Sequence, residues 1–269
     1  MRPVVNYIDL PNHVTLPFVE QGSSSGVPLV LLHGVTDSWR SFELVLPHLP
    51  ESIHAFALTQ RGHGDASRPD TGYRLHELAS DVAAFMDVVK IESAVIAGHS
   101  MGSGVAQRFA TRYPDRTLGL VLIGSFASLQ DNPGVQEIWD SPISTMTDPV
   151  DKSFVQEFQQ STLAQPVAQE YFEAVVEECL KLLARVWRAA FEGFLQEGFS
   201  EELNEVEVPT LIVWGDQDAF CGRSDQDRLT SAIKGSQLLV YKGAGHALHW
   251  EEPERFASDL TAFIEENFR

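Results

Sequence analysis

Cysteine is nearly absent: Cys179 and Cys221 are the two in 269 residues. Two thiols cannot build a disulfide framework or a four-thiolate zinc site. Positive charge is scarce as well, with 19 Lys and Arg against 38 Asp and Glu and a net charge of −19. A chain this acidic repels phosphate backbones and anionic lipid surfaces, which argues against nucleic-acid and membrane partners. No apolar run approaches the roughly 18 residues of a membrane span. The opening Met1-Arg2-Pro3-Val4-Val5-Asn6 lacks the apolar stretch of a secretory leader, so a cytoplasmic address is expected. Phosphate-cradling loops, dinucleotide fingerprints and metal-ligand clusters are missing too, and neither a cofactor nor a metal is implied.

What is present is the composition of a globular protein, 43% hydrophobic and 21% charged. Short, near-continuous apolar runs stand at 29–33, 53–58, 94–97, 118–123, 210–214 and 237–241. Such runs fit parallel strands covered on both faces. Between them lie helical patterns such as 75–89, with Leu78, Val82, Phe85 and Met86 at helical spacing. The alternation predicts an α/β fold with a doubly wound, mostly parallel sheet. Residues 127–205 break the rhythm. They offer no strand, and Val175, Val176, Cys179, Leu182, Leu183, Val186, Trp187, Ala190 and Phe191 form a helical stripe. The segment carries 15 acids against four bases, which reads as a solvated outer face. The expected organisation is a core of 1–126 and 206–269 with an all-helical cap insertion at 127–205.

Gly-x-Ser-x-Gly occurs twice, and context separates the copies. Gly98-His99-Ser100-Met101-Gly102 follows a strand and precedes a helix, the setting that lifts a serine hydroxyl above a sheet. Gly22-Ser23-Ser24-Ser25-Gly26 precedes a strand and reads as a turn. His246, in Gly243-Ala244-Gly245-His246-Ala247, follows the last strand; Asp218, in Trp214-Gly215-Asp216-Gln217-Asp218, follows the strand before it. The order Ser, Asp, His differs from that of chymotrypsin and subtilisin and is the order of the α/β-hydrolases. Asp216, two residues upstream, stays open as a rival acid.

With these motifs, and with Leu31-Leu32-His33-Gly34 and Arg61-Gly62-His63-Gly64-Asp65 in their places, the sequence resembles the α/β-hydrolase superfamily in its capped, carboxylesterase-like branch. The resemblance covers 27–126 and 206–269 and implies acyl transfer, with Ser100 as nucleophile, His246 as general base and Asp218 as its orienting acid. It also implies an oxyanion hole made by the backbone N–H groups of Val35 and Met101. Trp39, Phe126, Trp139, Trp187, Phe191, Phe220 and Leu248 are candidates to line an apolar substrate pocket. His33, His63, His99 and His249 read as hydrogen-bonding or surface histidines, and Cys221 as an inert thiol. A serine at the elbow excludes the carboxylate-nucleophile branches, the epoxide hydrolases and haloalkane dehalogenases. The expected partner is a small-molecule ester or lactone. Lactone opening and carbon–carbon bond hydrolysis use the same trio, and a hydrolase-fold ligand receptor with little turnover is the reading from another class.

Overall fold

The computed structural model describes residues 3–130, 132–198 and 202–268. Its strands are β1 (Val5–Asp9), β2 (Thr15–Gln21), β3 (Val27–Leu32), β4 (Ile53–Leu58), β5 (Ala94–His99), β6 (Thr117–Ile123), β7 (Thr210–Gly215) and β8 (Gln237–Tyr241). They form one sheet in the order β1-β2-β4-β3-β5-β6-β7-β8. From β4 to β8 every neighbouring pair is parallel. β1 and β2 add an antiparallel hairpin at one edge, which the apolar-run pattern does not reveal. The reason is exposure: β1 has no buried residue, and Tyr7 is 60% exposed, so the strand carries no continuous apolar signature.

The parallel strands are apolar throughout because each feeds two cores. Val30 and Leu32 of β3 and Ile96 of β5 join one cluster, while Leu29, Leu31, Val95 and Ala97 join the other. Alternation along a strand thus becomes a continuous apolar run when both faces are covered. Helices α1 (Leu75–Val88) and α2 (Met101–Arg112) cover the first face. Between β6 and β7 come α3 (Pro133–Asp140), α4 (Lys152–Ser161), α5 (Gln169–Cys179) and α6 (Ala184–Gln196), and then α7 (Arg223–Ala232) follows β7. After β8, α8 (Leu248–Glu251) and α9 (Pro253–Asn267) pack on the second face through Leu248, Phe256, Leu260 and Phe263.

The helical stripe of 172–191 is interrupted. α5 ends at Cys179, and Asp148 accepts the N–H of Ala184 at 2.7 Å to start α6 afresh. Apolar side chains of the segment, including Val155, Trp187 and Phe191, belong to the same cluster as Val105 of α2 and Val35 of the β3 loop. Described residues of 127–205 therefore share the core of the sheet instead of forming one of their own.

The strand order locates the chemistry. From β3 the chain moves to β4 on one side, then returns to lay β5 on the other, so a topological switch point lies between β3 and β5. Ligands of open parallel sheets bind outside the carboxyl ends of strands at such a point. The loop 33–37 leaves β3 there, and Ser100 follows β5 there. Gly22 to Gly26 instead turn into the amino end of β3, away from the switch point.

The turn at Ser100 depends on its glycines. Ser100 holds φ +52° and ψ −118°, a left-handed conformation uncommon outside glycine. A Cβ on Gly98 would sit 2.0 Å from the carbonyl oxygen of Gly102, and one on Gly102 2.3 Å from that of Leu32. Both obstacles are backbone, which cannot step aside. Gly98→Ala is expected to destabilise the fold by about 3 kcal/mol or more, read as a lower urea midpoint. An unchanged midpoint would show that the turn tolerates a side chain.

Candidate active site

His246 stands on the loop between β8 and α8, with its side chain 5% exposed, and gives its Nδ1–H to Oδ2 of Asp218 at 2.8 Å. Asp218 leaves β7 on a tight turn and is oriented by its own backbone. Its Oδ1 accepts the N–H groups of Phe220 at 2.8 Å and Cys221 at 2.9 Å, which leaves Oδ2 for the histidine. That bond fixes the tautomer: Nδ1 carries the hydrogen and Nε2 presents a lone pair. Asp216 makes no such contact. It is exposed, its Oδ1 accepts the Gly243 N–H at 2.7 Å, and hydrogen bonds from Gln217 and Gly243 hold its carboxyl below the usual range. Asp216 shapes the turn; Asp218 meets the histidine.

Ser100 and His246 line one cavity, together with Gly34 and Val35 of the β3 loop. Met101 is the first residue of α2, so its N–H has no intrahelical acceptor and sits at the positive end of the helix. The remaining wall comes from Asp37, His99, Leu129, Val135, Ile138, Phe158, Gln159, Thr162, Phe191, Phe220, Cys221 and Trp250. Of the pocket candidates, Phe191 and Phe220 line this cavity, the Phe220 ring 5.0 Å from that of His246. The others lie elsewhere. Trp187 is fully buried and stacked on Phe191, behind the wall. Phe126 and Leu248 are fully buried in the two sheet cores. Trp39 faces a separate groove with Arg40 and Tyr171. Residue type alone does not tell a core aromatic from a wall aromatic; packing behind α4 and α6 does.

The loops are locked by histidines that the sequence reads as structural. His33 gives Nδ1–H to the Gly34 carbonyl at 2.7 Å, and its Nε2 accepts the Gln60 N–H at 2.9 Å. His63 donates to the Arg61 carbonyl at 2.9 Å, and burial pushes its imidazole down to about 4. His249, read from the sequence as a surface or hydrogen-bonding histidine, is wholly buried and hydrogen-bonded to the Ser41 hydroxyl at 3.0 Å, and burial lowers it to about 3. Cys221 is a buried thiol raised by burial and by the charge of Asp218, the opposite of an activated nucleophile.

Segment 159–165 ties both loops to the inserted helices, a feature without a sequence signature. Gln159 of α4 donates from Nε2 to Thr36 Oγ1 and Asp37 Oδ1, each at 3.1 Å. Ala247 gives its N–H to the Thr162 carbonyl at 3.0 Å, and Glu251 accepts from Ala164, Gln165 and Gly245. Apart from the local bond of Gly245 to Glu251, these contacts link residues more than 80 positions apart, which no local motif encodes.

Residues 27–253 match the family described as the alpha/beta hydrolase fold. The chain belongs to the α/β-hydrolase family. This α/β-hydrolase is 29% identical to the AB hydrolase superfamily protein YisY of Bacillus subtilis (strain 168), over 96% of this chain and 98% of that protein. It is 27% identical to the 2-hydroxymuconate semialdehyde hydrolase of Pseudomonas sp. (strain CF600), over 91% and 89%. Among solved structures, the esterase RhEst1 from Rhodococcus sp. ECU1013 superposes with a TM-score of 0.87 at 26% identity, covering 99% of this hydrolase and all of RhEst1. Among the described residues, no helix of the hydrolase is long and apolar enough to cross a membrane.

Proposed function

We propose that this α/β-hydrolase is a serine esterase acting on small or aryl carboxylic esters through Ser100, His246 and Asp218. The observation that carries the reading is the 2.8 Å bond between His246 Nδ1 and Asp218, made beside a cavity that also holds Ser100 on a left-handed turn. In the reaction, Nε2 of His246 takes the proton of Ser100 as its oxygen attacks the ester carbonyl. The N–H groups of Val35 and Met101 receive the oxyanion, each worth about 2.7–4 kcal/mol in the transition state. His246 then returns the proton to the departing alkoxide, and the alcohol leaves. Water, deprotonated by the same nitrogen, attacks the acyl-enzyme; the acid departs and Ser100 regains its proton.

The substrate class follows from the wall. Phe158, Phe191, Phe220, Leu129, Val135 and Ile138 make it apolar, and no lysine or arginine lines it among the described residues. A neutral acyl group fits this lining, and an anionic substrate has no counter-charge there. We read residues 127–205 as the cap, since α3, α4 and α6 supply Val135, Phe158 and Phe191 to the wall.

The test is hydrolysis of p-nitrophenyl acetate, butyrate and octanoate, with a fluorophosphonate probe mapped by mass spectrometry. The expected result is turnover of the shorter esters and label on Ser100. Labelling without turnover would move the reading to lactones, to carbon–carbon bond cleavage or to a receptor. No label would overturn the serine mechanism.

A further inference from the structure

Acyl transfer as written leaves a buried acid unused. Asp37, 4% exposed, stands four residues after His33 in the loop that carries Val35. Its Oδ1 accepts from Gln159, and its Oδ2 lies 3.5 Å from the Ser41 hydroxyl and 4.0 Å from Nδ1 of His99. The groups facing it are His99 at the end of β5, Ser41, Gln159 of α4, and Tyr171 and Cys179 of α5, while His246 and His249 near α8 act on His99. None of them is a permanent cation.

The state of Asp37 follows from donor counting at His99. Nε2 of His99 lies 3.1 Å from the main-chain carbonyl of His246, which can only accept, so Nε2 carries a hydrogen. Burial, together with His249 and His246 nearby, holds the imidazole well below its ordinary value, and the ring is neutral. Nδ1 is then a bare lone pair, buried and without a hydrogen-bond partner among the described residues. An ionised Asp37 would turn a second acceptor toward it. Gly34 lies beside the shared space: a Cβ there would fall 2.8 Å from Nδ1 and 3.2 Å from Oδ2 of Asp37. The gap is open for the two groups to close by about 1 Å to hydrogen-bond length.

We propose that Asp37 is a positioning residue that works as a neutral carboxylic acid, donating to His99 Nδ1 and so holding, through His99 Nε2–H, the main chain of His246. The proposal rests on the reading of His246 as the general base. The neutral state suits its neighbour: the rings of His99 and His246 are 4.8 Å apart, and a neutral His99 adds no second positive charge when His246 becomes an imidazolium. Burial pushes the Asp37 carboxyl up to about 8, against hydrogen bonds from Gln159, Ser41 and Gly34 that pull it down. The donor is therefore present at pH 7 and is lost as pH rises through about 8.

Asp37→Asn and Asp37→Leu separate the alternatives. Asparagine keeps an acceptor for Gln159 and a permanent donor for His99; leucine keeps neither. Two readouts are taken from pH 6 to 10: imidazole ¹⁵N resonances of His99, and the rate of fluorophosphonate labelling of Ser100. Wild type should show a neutral, Nε2-protonated His99 at pH 7 and a midpoint near pH 8. Its labelling rate should fall about fivefold by pH 9, toward the roughly tenfold limit that complete loss of the donor sets. Asp37→Leu should lose about tenfold at pH 7, a small fraction of the effect of a reacting group. Asp37→Asn should restore most of that loss and abolish the pH 8 midpoint in both readouts. A doubly protonated His99 at pH 7, or a folded Asp37→Asn that fails to rescue or keeps the midpoint, overturns the proposal. Absence of label in every variant would defeat the esterase reading instead, and the His99 resonances would still decide the state of Asp37.

Discussion

Ser100→Ala is expected to lower kcat for p-nitrophenyl butyrate by about 10⁶-fold, the scale on which removal of a triad serine acts. The covalent route disappears with the oxygen, and alanine offers His246 nothing to deprotonate. What survives is whatever the oxyanion donors accomplish with water, roughly 10³-fold over the uncatalysed rate. Stability should stay within about 1 kcal/mol, because alanine keeps the Cβ that the left-handed turn already accommodates and the glycines that permit the turn are untouched. Ser24→Ala serves as the matched control. It removes an exposed hydroxyl from the other Gly-x-Ser-x-Gly copy, between β2 and β3, and activity should not change. Retention of a tenth of the activity by Ser100→Ala would remove Ser100 from the mechanism.

Asp218→Asn should cost about 10⁴-fold in kcat at neutral pH, and the reason lies in the two backbone donors behind it. Phe220 and Cys221 both point N–H groups at Oδ1, so an asparagine must place its amide oxygen there. Its NH₂ then faces His246 and requires an acceptor at Nδ1. The proton moves to Nε2, where it cannot accept from Ser100. Charge loss and tautomer reversal act together. Asp216→Asn, two residues away, should leave kcat within about twofold, since its partners are the Gly243 N–H and Gln217 on the surface. The pair is measured side by side by steady-state hydrolysis. If Asp216→Asn is the damaging change, the assignment of the acid is reversed.

Much of this was legible in one dimension. Five of the six parallel strands, β3 to β7, are apolar runs because both their faces are buried, and β8 at the sheet edge keeps an apolar run while half-buried. Ser100 announces itself through Gly98 and Gly102, which are dictated by carbonyl oxygens 2.0 and 2.3 Å from where a Cβ would lie. His246 and Asp218 are placed by following strands, since chain order and strand ends are local facts. The hairpin of β1 and β2 escaped because its outer strand has no buried residue to write a pattern.

The cavity wall was a different matter. Phe220 and Trp187 are both large apolar residues near plausible elements, yet one touches the cavity and the other is sealed behind Phe191. Asp37 reads as an ordinary loop acid until α4 and the end of β5 close over it. Gln159 gains its meaning from Thr36 and Asp37, more than 120 residues earlier in the chain. Backbone turns and strand burial are set by neighbours a few positions away, so the linear chain states them directly. Wall composition, the protonation of a buried acid and the bracing of one loop by another depend on desolvation and on contacts between distant segments, and those exist only once the chain has folded.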